Sequence, residues 1–119
     1  MAQDRPTAAE LLGAVIDFLR EEATPSLDHS DAGLGFQMRV ATNALAILER
    51  ESRLGPAADA REHERLMKLL GRDGTLDQLN RELARQLRAG QRDERDQALI
   101  VHLQATVADK IAIANPRWK

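Results

Sequence analysis

Apolar residues recur at the spacing of an α-helix along most of this chain, and glycine or proline divides them into separate stretches. In the first stretch, at 8–23, six apolar residues cover one broad face at about 100° per residue: Leu11, Leu12, Val15, Ile16, Phe18 and Leu19. The same periodicity predicts further helices at 34–54, 57–70, 76–89 and 93–114. Five helices joined by short connections favour an antiparallel bundle, so we predict an all-α fold.

Two of these helices are predicted to begin at a capping box. In this motif the side chains of two residues each accept a hydrogen bond from the other residue's backbone N–H. Thr7 pairs with Glu10 at the start of the first helix, and Thr75 pairs with Gln78 at the start of the fourth. Both boxes satisfy backbone donors that the helix itself leaves free.

Proline and glycine mark the predicted helix ends. Pro25 disfavours a helical backbone at the residue before it, so we expect the first helix to end there and residues 26–35 to form a loop. Gly55 and Pro56 are expected to separate the second helix from the third. No linker is long enough to divide the chain, so residues 1–119 are predicted to form a single helical domain.

The second predicted helix is apolar over much of its circumference. Its main stripe consists of Phe36, Val40, Ala44, Ile47 and Leu48, and Met38, Ala41 and Leu45 widen it. A helix of this kind is usually central in a domain or lies at a dimer interface. A homodimer formed through the second helix is therefore one prediction of the sequence.

Charge and composition exclude several classes of function. The chain has no cysteine, which excludes disulfides and thiolate metal sites. Its formal net charge of -2 argues against nucleic-acid binding, because such domains are usually strongly basic. No apolar run approaches the ~20 residues that span a bilayer, and the first residues are polar, without a signal-peptide core. We therefore expect a cytoplasmic protein that does not contact a membrane.

The sequence of the predicted helices contains no recognisable catalytic or metal-binding motif. His63 and Glu64 match the first two residues of the zinc-protease motif H-E-x-x-H, but the second histidine of that motif is missing. His29 lies near Asp28 and Asp31, which we interpret as a polar loop, since a zinc site needs three or four converging ligands. We expect no catalytic residue, no metal and no cofactor, and infer that the chain acts through its surface.

The predicted fourth helix carries a row of arginines roughly opposite its leucines. The row consists of Arg81, Arg85 and Arg88, with Arg92 just beyond the helix. Guanidinium groups can bind phosphate or an acidic partner through paired hydrogen bonds. Acidic residues are interleaved with the arginines, however, and a solvated face is the favoured interpretation.

Three further residues are candidates for binding. Asn43 borders the apolar stripe of the second helix, where a buried amide must be hydrogen-bonded. A bond to loop or terminal backbone is favoured there over a ligand contact. Arg117 and Trp118 lie near the end of the chain, where the tryptophan either packs over the helices or anchors a partner.

Three motifs follow one another along the chain. They are DRPTAAELL at 4–12, Phe36 with RVA at 39–41 and NAL at 43–45, and NPR at 115–117. Together they resemble a family of small uncharacterised bacterial proteins that occur beside, or fused to, aminoglycoside-phosphotransferase-like kinases, often with acyl-CoA dehydrogenases. The similarity covers nearly the whole chain, although the third and fourth helices match only in pattern. Arg39, Asn43 and Arg117 match recurrent positions of that family.

This resemblance implies an accessory role. In such gene clusters the kinase phosphorylates a hydroxyacyl-CoA on the way to β-oxidation, and the small protein would be its subunit. The leading hypothesis is therefore a non-enzymatic accessory subunit of an aminoglycoside-phosphotransferase-like kinase. The alternative is a helical bundle that binds an acyl-CoA or a similar phosphorylated apolar ligand, with the arginine row contacting the phosphates. A self-associating regulator or transcription factor is a third class, which the acidic balance disfavours.

Overall fold

The structure is a computed structural model that describes residues 5–117. Within that range the chain forms helices and turns, with no strand. The elements are α1 (Ala8–Phe18), a π-helical segment (Leu19–Ala23), α2 (Thr24–Ser30), α3 (Ala32–Leu70), α4 (Leu76–Arg88) and α5 (Gln97–Ala114). The prediction of an all-α fold is confirmed.

The chain groups into two compact units. The first ends at Leu54 and the second begins at Gly55, so the boundary falls inside α3 and next to Pro56. The single domain expected from the sequence stays a prediction.

The predicted end of the first helix at Pro25 is wrong. The helical backbone continues from α1 through the π-helical segment into α2, and Thr24 has helical angles of φ -64 and ψ -47. Pro25 lies in the first turn of α2. Proline is tolerated in a first turn, because the backbone N–H that it lacks is not needed there for an α-helical hydrogen bond.

The predicted loop at 26–35 is wrong as well, because one residue makes the turn. Asp31 has extended backbone angles of φ -158 and ψ 94, with α2 before it and α3 after it. Its Oδ1 atom accepts a hydrogen bond from the backbone N–H of Leu34 at 3.1 Å. Asp31 therefore caps α3 with its side chain, as aspartate commonly does at a helix start.

The predicted break between the second and third helices does not end the helix. α3 contains Pro56 and continues to Leu70. A proline in a helix interior costs about 3 kcal/mol, because it removes one hydrogen bond and crowds the preceding turn. Beyond it, Ala58 and Leu66 are 8% and 0% exposed. Burial of these side chains holds the second part of α3 in helical form despite that cost.

Local signals elsewhere are confirmed. Both capping boxes are present, with Thr7 and Thr75 each accepting from the backbone N–H three residues later at 3.1 Å. Gly71 and Gly90 end α3 and α4 with φ of 66 and 70, a left-handed conformation that favours glycine. α5 begins later than predicted, at a cap where Asp96 accepts from the N–H of Ala98 at 3.0 Å.

Four leucines from three helices form the core of the second unit. Leu66 of α3, Leu79 and Leu83 of α4, and Leu99 of α5 are all at most 4% exposed. The predicted leucine stripe of α4 is divided, however, because Leu87 is 41% exposed. The core therefore closes over the first part of α4 and leaves its last turn at the surface.

In the first unit, α3 buries three small residues and leaves several large apolar side chains exposed. Gly35, Thr42 and Ala46 lie on the buried side of the helix. Three large side chains, spaced so that they share one side of α3, are 36% to 62% exposed: Phe36, Val40 and Ile47, here called the α3 outer row. The apolar stripe predicted from the sequence therefore faces solvent in this chain.

α1 shows the same division between inner and outer sides. Ile16 is 5% exposed, whereas Leu11, Val15 and Phe18 are about half exposed. None of the helices in the described part of the chain is both long enough and apolar enough to cross a membrane.

Two of the leucines of α4, one buried and one exposed, provide a test of the second-unit core. We expect Leu79→Ala to lower the free energy of unfolding by about 2–5 kcal/mol, because it leaves a cavity among buried side chains. Leu87→Ala, on the same helix, should cost less than about 1 kcal/mol. Denaturant unfolding followed by circular dichroism measures both. Equal losses for the two variants would contradict the division of α4 described above.

Candidate functional site

A polar cleft of about 330 Å³ lies in the first unit, between the helical segment that precedes Asp31 and the first part of α3. Its lining is Arg20, Thr24, Pro25, Asp28, Arg39 and Asn43. Arg39 and Asn43 are two of the candidates named from the sequence, and the structure brings them together here. A cleft of this size is at the small end of the range for small-molecule sites.

An ion pair joins the two walls of the cleft. One guanidinium nitrogen of Arg39, Nη1, donates to both carboxylate oxygens of Asp28, at 2.9 and 2.8 Å. Both side chains remain about half exposed, with relative exposures of 51% and 42%. Solvent screening makes such an exposed pair a weak source of stability, so its clearer effect is to orient Arg39 across the cleft.

Gly35 allows that ion pair to form. It is buried in α3, and a Cβ atom at this position would overlap the Oδ1 atom of Asp28 and lie 3.4 Å from its Cα. Asp28 therefore approaches α3 at a position where the helix has no side chain. A close approach of this kind is a common reason for glycine inside a helix.

Thr24, which lines the cleft, has a buried hydroxyl group that lacks a hydrogen-bond partner among the described residues. The residue is 6% exposed, and its Oγ1 has no hydrogen-bond partner within residues 5–117. Leaving a buried hydroxyl unpaired costs about 1–3 kcal/mol. The π-helical segment ends at the preceding residue, Ala23, and single π turns within helices occur frequently at functional sites.

Arg20 and Asn43 complete the polar lining. Both are exposed, and neither side chain forms a hydrogen bond or ion pair in the described part of the chain. The structure therefore places the Asn43 amide at the cleft and not in the backbone contact that the sequence favoured. Arg39 and Asn43 are four residues apart on α3, and this spacing places them on one face of the helix.

Sequence reasoning missed three residues of the cleft, although a signal was present. Arg20, Thr24 and Asp28 are spaced four residues apart, which aligns them along one side of a continuous helix. The interpretation of Pro25 as a helix end concealed that alignment. A helix continued through the proline would have placed all three on one face.

The arginine row of α4 is largely engaged by neighbouring side chains. Arg81 pairs with Asp77 at 3.0 Å, and Arg85 pairs with Glu82 at 2.6 Å. The Arg85 hydrogen bond, with a second from Gln86, lowers the pKa of Glu82 to about 2. These pairs favour the solvated-face interpretation for Arg81 and Arg85.

The other two arginines of that row differ from each other. Arg92 is largely buried and donates to the backbone carbonyl of Leu69 at 2.8 Å and to Gln86 Oε1 at 2.7 Å. It therefore satisfies a carbonyl in the last turn of α3 and is not free for a ligand. Arg88 is exposed, with no hydrogen bond or ion pair to any residue that the structure describes.

The remaining candidates lie near the chain end. Arg117 is exposed in the turn after α5. Trp118 lies outside the described residues. Arg117 belongs to the second unit, whereas Arg39 and Asn43 belong to the first.

The histidines have separate surroundings. His63 Nε2 donates to the Gly74 carbonyl at 2.7 Å, which ties α3 to the turn before α4. His29 is exposed, and its neighbour Asp28 is engaged by Arg39. Across residues 5–117, no three or more acidic or histidine side chains converge in a way that could hold a metal ion.

His102 is the buried titratable group of the second unit. It is 3% exposed, and its Nδ1 accepts a hydrogen bond from Arg65 Nε at 3.2 Å. Arg65 also donates to Thr106 at 3.2 Å. Burial, and secondarily the positive charge of Arg65, lower the pKa of His102 below its ordinary value. The ring is therefore neutral, with Nδ1 as an acceptor, and it serves to join α3 to α5.

Stability at mildly acidic pH tests this role of His102. In the unfolded chain the His102 side chain takes up a proton near pH 6.5. In the folded chain its pKa is lower, so the same ring is protonated only at lower pH. The free energy of unfolding should therefore fall as the pH drops below that value. His102→Gln, which keeps an acceptor for Arg65, should flatten this dependence between about pH 7 and 5 in denaturant titrations. His29→Gln is the exposed control, and a slope unchanged by His102→Gln would contradict the assignment.

Alanine substitutions at two glycines test the close approach at Gly35. Gly13→Ala in α1 should raise the free energy of unfolding by about 0.5–1 kcal/mol, because nothing lies within 4 Å of an added Cβ there. Gly35→Ala should give no such gain, because the added methyl displaces Asp28 from Arg39. Thermal and denaturant unfolding measure both variants. An equal gain in the free energy of unfolding for Gly35→Ala and Gly13→Ala would contradict the inference that the close approach of Asp28 requires glycine at position 35.

Comparison with known proteins gives a family and nothing closer. The chain matches the family model described as Domain of unknown function (DUF6285) over residues 28–118. No curated protein and no solved structure matches it. The matched stretch contains α3, α4 and α5 whole, and with them Asp28, Arg39 and Asn43. Because the match covers most of its length, the chain belongs to the DUF6285 family.

Proposed function

We propose that this protein is a non-enzymatic accessory subunit that binds an aminoglycoside-phosphotransferase-like kinase acting on a hydroxyacyl-CoA, and that it works in the cytoplasm. In this proposal the α3 outer row is the surface that contacts the kinase. The protein contributes shape and contact, and the phosphoryl transfer takes place on the partner.

The exposed apolar side chains of α3 are the observation that supports a binding role. Phe36 and Val40 are 62% and 55% exposed, whereas another side of the helix buries small residues. Burying a large apolar side chain contributes about 1.5–3 kcal/mol. A partner that covers the α3 outer row would therefore gain several kcal/mol, and aligned apolar side chains at helical spacing suit a groove on another protein.

The class of partner comes from the family resemblance of the sequence. The motifs that carry it include Phe36 and Val40, which belong to the α3 outer row, together with Arg39 and Asn43 beside them. An accessory subunit that meets its kinase through this part of α3 accounts for both observations.

Affinity purification from the native host is the direct test. The tagged chain should recover a kinase of this type, and deletion of the chain should lower the activity of that kinase. The double variant Phe36→Ser/Val40→Ser should reduce kinase recovery at least about tenfold, because loss of two apolar contacts exceeds 1.4 kcal/mol. Its circular dichroism and melting temperature should stay close to those of the parent, since both residues are exposed.

A matched control lies on α5. Leu103 and Val107 are also four residues apart and are 43% and 53% exposed. The double variant Leu103→Ser/Val107→Ser removes the same kind of surface from the other unit and should leave kinase recovery unchanged. Failure to recover a kinase, or equal recovery with the α3 variant, would overturn the proposal.

Two other functions give distinct results in the same experiments. A homodimer through α3 would appear in sedimentation of the purified chain and would dissociate with Phe36→Ser/Val40→Ser, with no kinase recovered. An acyl-CoA-binding protein would release heat on titration with an acyl-CoA and lose that heat when Arg81, Arg85 and Arg88 are replaced by glutamine. Either pattern would replace the accessory-subunit proposal.

A further inference from the structure

The polar cleft of the first unit has a chemical character that the proposed partner contact does not use. Three charged side chains line it: Arg20, Asp28 and Arg39. Asp28 is already neutralised by Arg39 through two hydrogen bonds. Arg20 therefore gives the lining a net positive charge with no counterion among the residues that the structure describes.

The acidic residues near Arg20 in sequence do not supply that counterion. Asp17, Glu21 and Glu22 are all exposed, and none forms an ion pair with Arg20 in the described range. The guanidinium group of arginine presents several N–H donors in one plane, which suits the paired oxygens of a carboxylate or phosphate. The cleft thus contains an anion-binding group held in a concave site.

Uncharged polar groups at the same cleft also lack partners. The Asn43 amide forms no hydrogen bond within residues 5–117, and the buried Thr24 hydroxyl is unpaired. Buried polar groups in folded proteins are nearly always hydrogen-bonded, so an orphaned hydroxyl calls for a specific explanation. Thr24 lines the same cleft as Arg20 and directly follows a π-helical segment, a feature that is frequent at functional sites.

We propose that this cleft binds a small organic anion through its carboxylate or phosphate group. Arg20 pairs with the anionic oxygens, and Asn43 donates a further hydrogen bond. The Arg39–Asp28 pair, which joins the two walls, accepts from or donates to polar groups on the remainder of the ligand. The volume of about 330 Å³ limits the occupant to a small molecule or to the anionic end of a longer one.

This inference does not rest on the proposed kinase contact. The residues that line the cleft and the residues of the α3 outer row do not overlap. On α3 the cleft is lined by Arg39 and Asn43, whereas the α3 outer row consists of Phe36, Val40 and Ile47. Loss of one activity therefore leaves the other measurable. The purified full chain, without any partner, is sufficient for the test.

The experiment is an NMR titration of the labelled chain with two probes, inorganic phosphate and butyrate, each exchanged against chloride at constant ionic strength. We expect saturable shifts at the cleft residues with at least one probe. The probe that binds more tightly identifies the anionic group as phosphate or carboxylate. Arg20→Gln should weaken binding about tenfold and Asn43→Ala about threefold, in keeping with loss of a charged and a neutral hydrogen bond.

Arg88→Gln is the matched control, because Arg88 is also an exposed helical arginine without a partner in the described range. It should leave the affinity unchanged. Circular dichroism of each variant checks that the fold is kept. Absence of saturation with both probes at about 100 mM, far above a millimolar affinity, would overturn the proposal. Equal weakening by Arg20→Gln and Arg88→Gln would also overturn it, because the effect would then reflect overall charge.

Discussion

The shape of the first unit depends on the close approach of Asp28 to α3 at Gly35. A side chain there would overlap the Asp28 carboxylate. The carboxylate would turn away, and Arg39 would lose the anion that both orients it and neutralises it. One missing methyl group therefore determines the spacing of the cleft walls and the charge of the cleft, since Arg20 is left as its only unmatched cation among the described residues.

The same helix separates two kinds of surface. α3 packs small residues such as Gly35 and Ala46 inward, so its neighbours approach closely, and it leaves the larger Phe36 and Val40 outside. A helix stabilised only by its own unit would ordinarily bury the larger side chains, because they contribute more free energy. The arrangement gives an apolar row suited to a protein and, on the α2 side, a polar cleft suited to a small ligand.

Local features of this fold could be predicted from the sequence, and features that depend on distant contacts could not. The capping boxes at Thr7 and Thr75 involve atoms only three residues apart, so spacing alone identifies them. Whether a helix passes a proline depends on the energy of the packing around it. At Pro56 burial of later residues decides the outcome, and at Pro25 the first turn of α2 removes the usual cost.

The buried side of α3 was beyond sequence reasoning for a similar reason. The helix is apolar around much of its surface, so periodicity does not decide which side is buried. The buried side depends on how the side chains of α3 fit against the neighbouring helices. The candidate site was found only in part for a different reason. Asn43 was identified from its place beside the apolar stripe and, with Arg39, from the family resemblance. Arg20 and Thr24 became visible only once the helix was known to continue through Pro25.

The arginine pairs of α4 affect how this protein meets other charged molecules at a distance. A count of basic residues treats each guanidinium as an independent source of potential. Here Arg81 and Arg85 are each close to a carboxylate, and Arg92 is turned toward a backbone carbonyl. Closely spaced opposite charges act as dipoles whose potential fades faster than that of a lone ion, and salt shortens its range further. On this helix Arg88 alone of the row has no partner in the described range, so an approaching polyanion would be attracted only weakly, and encounters there should be governed mainly by diffusion.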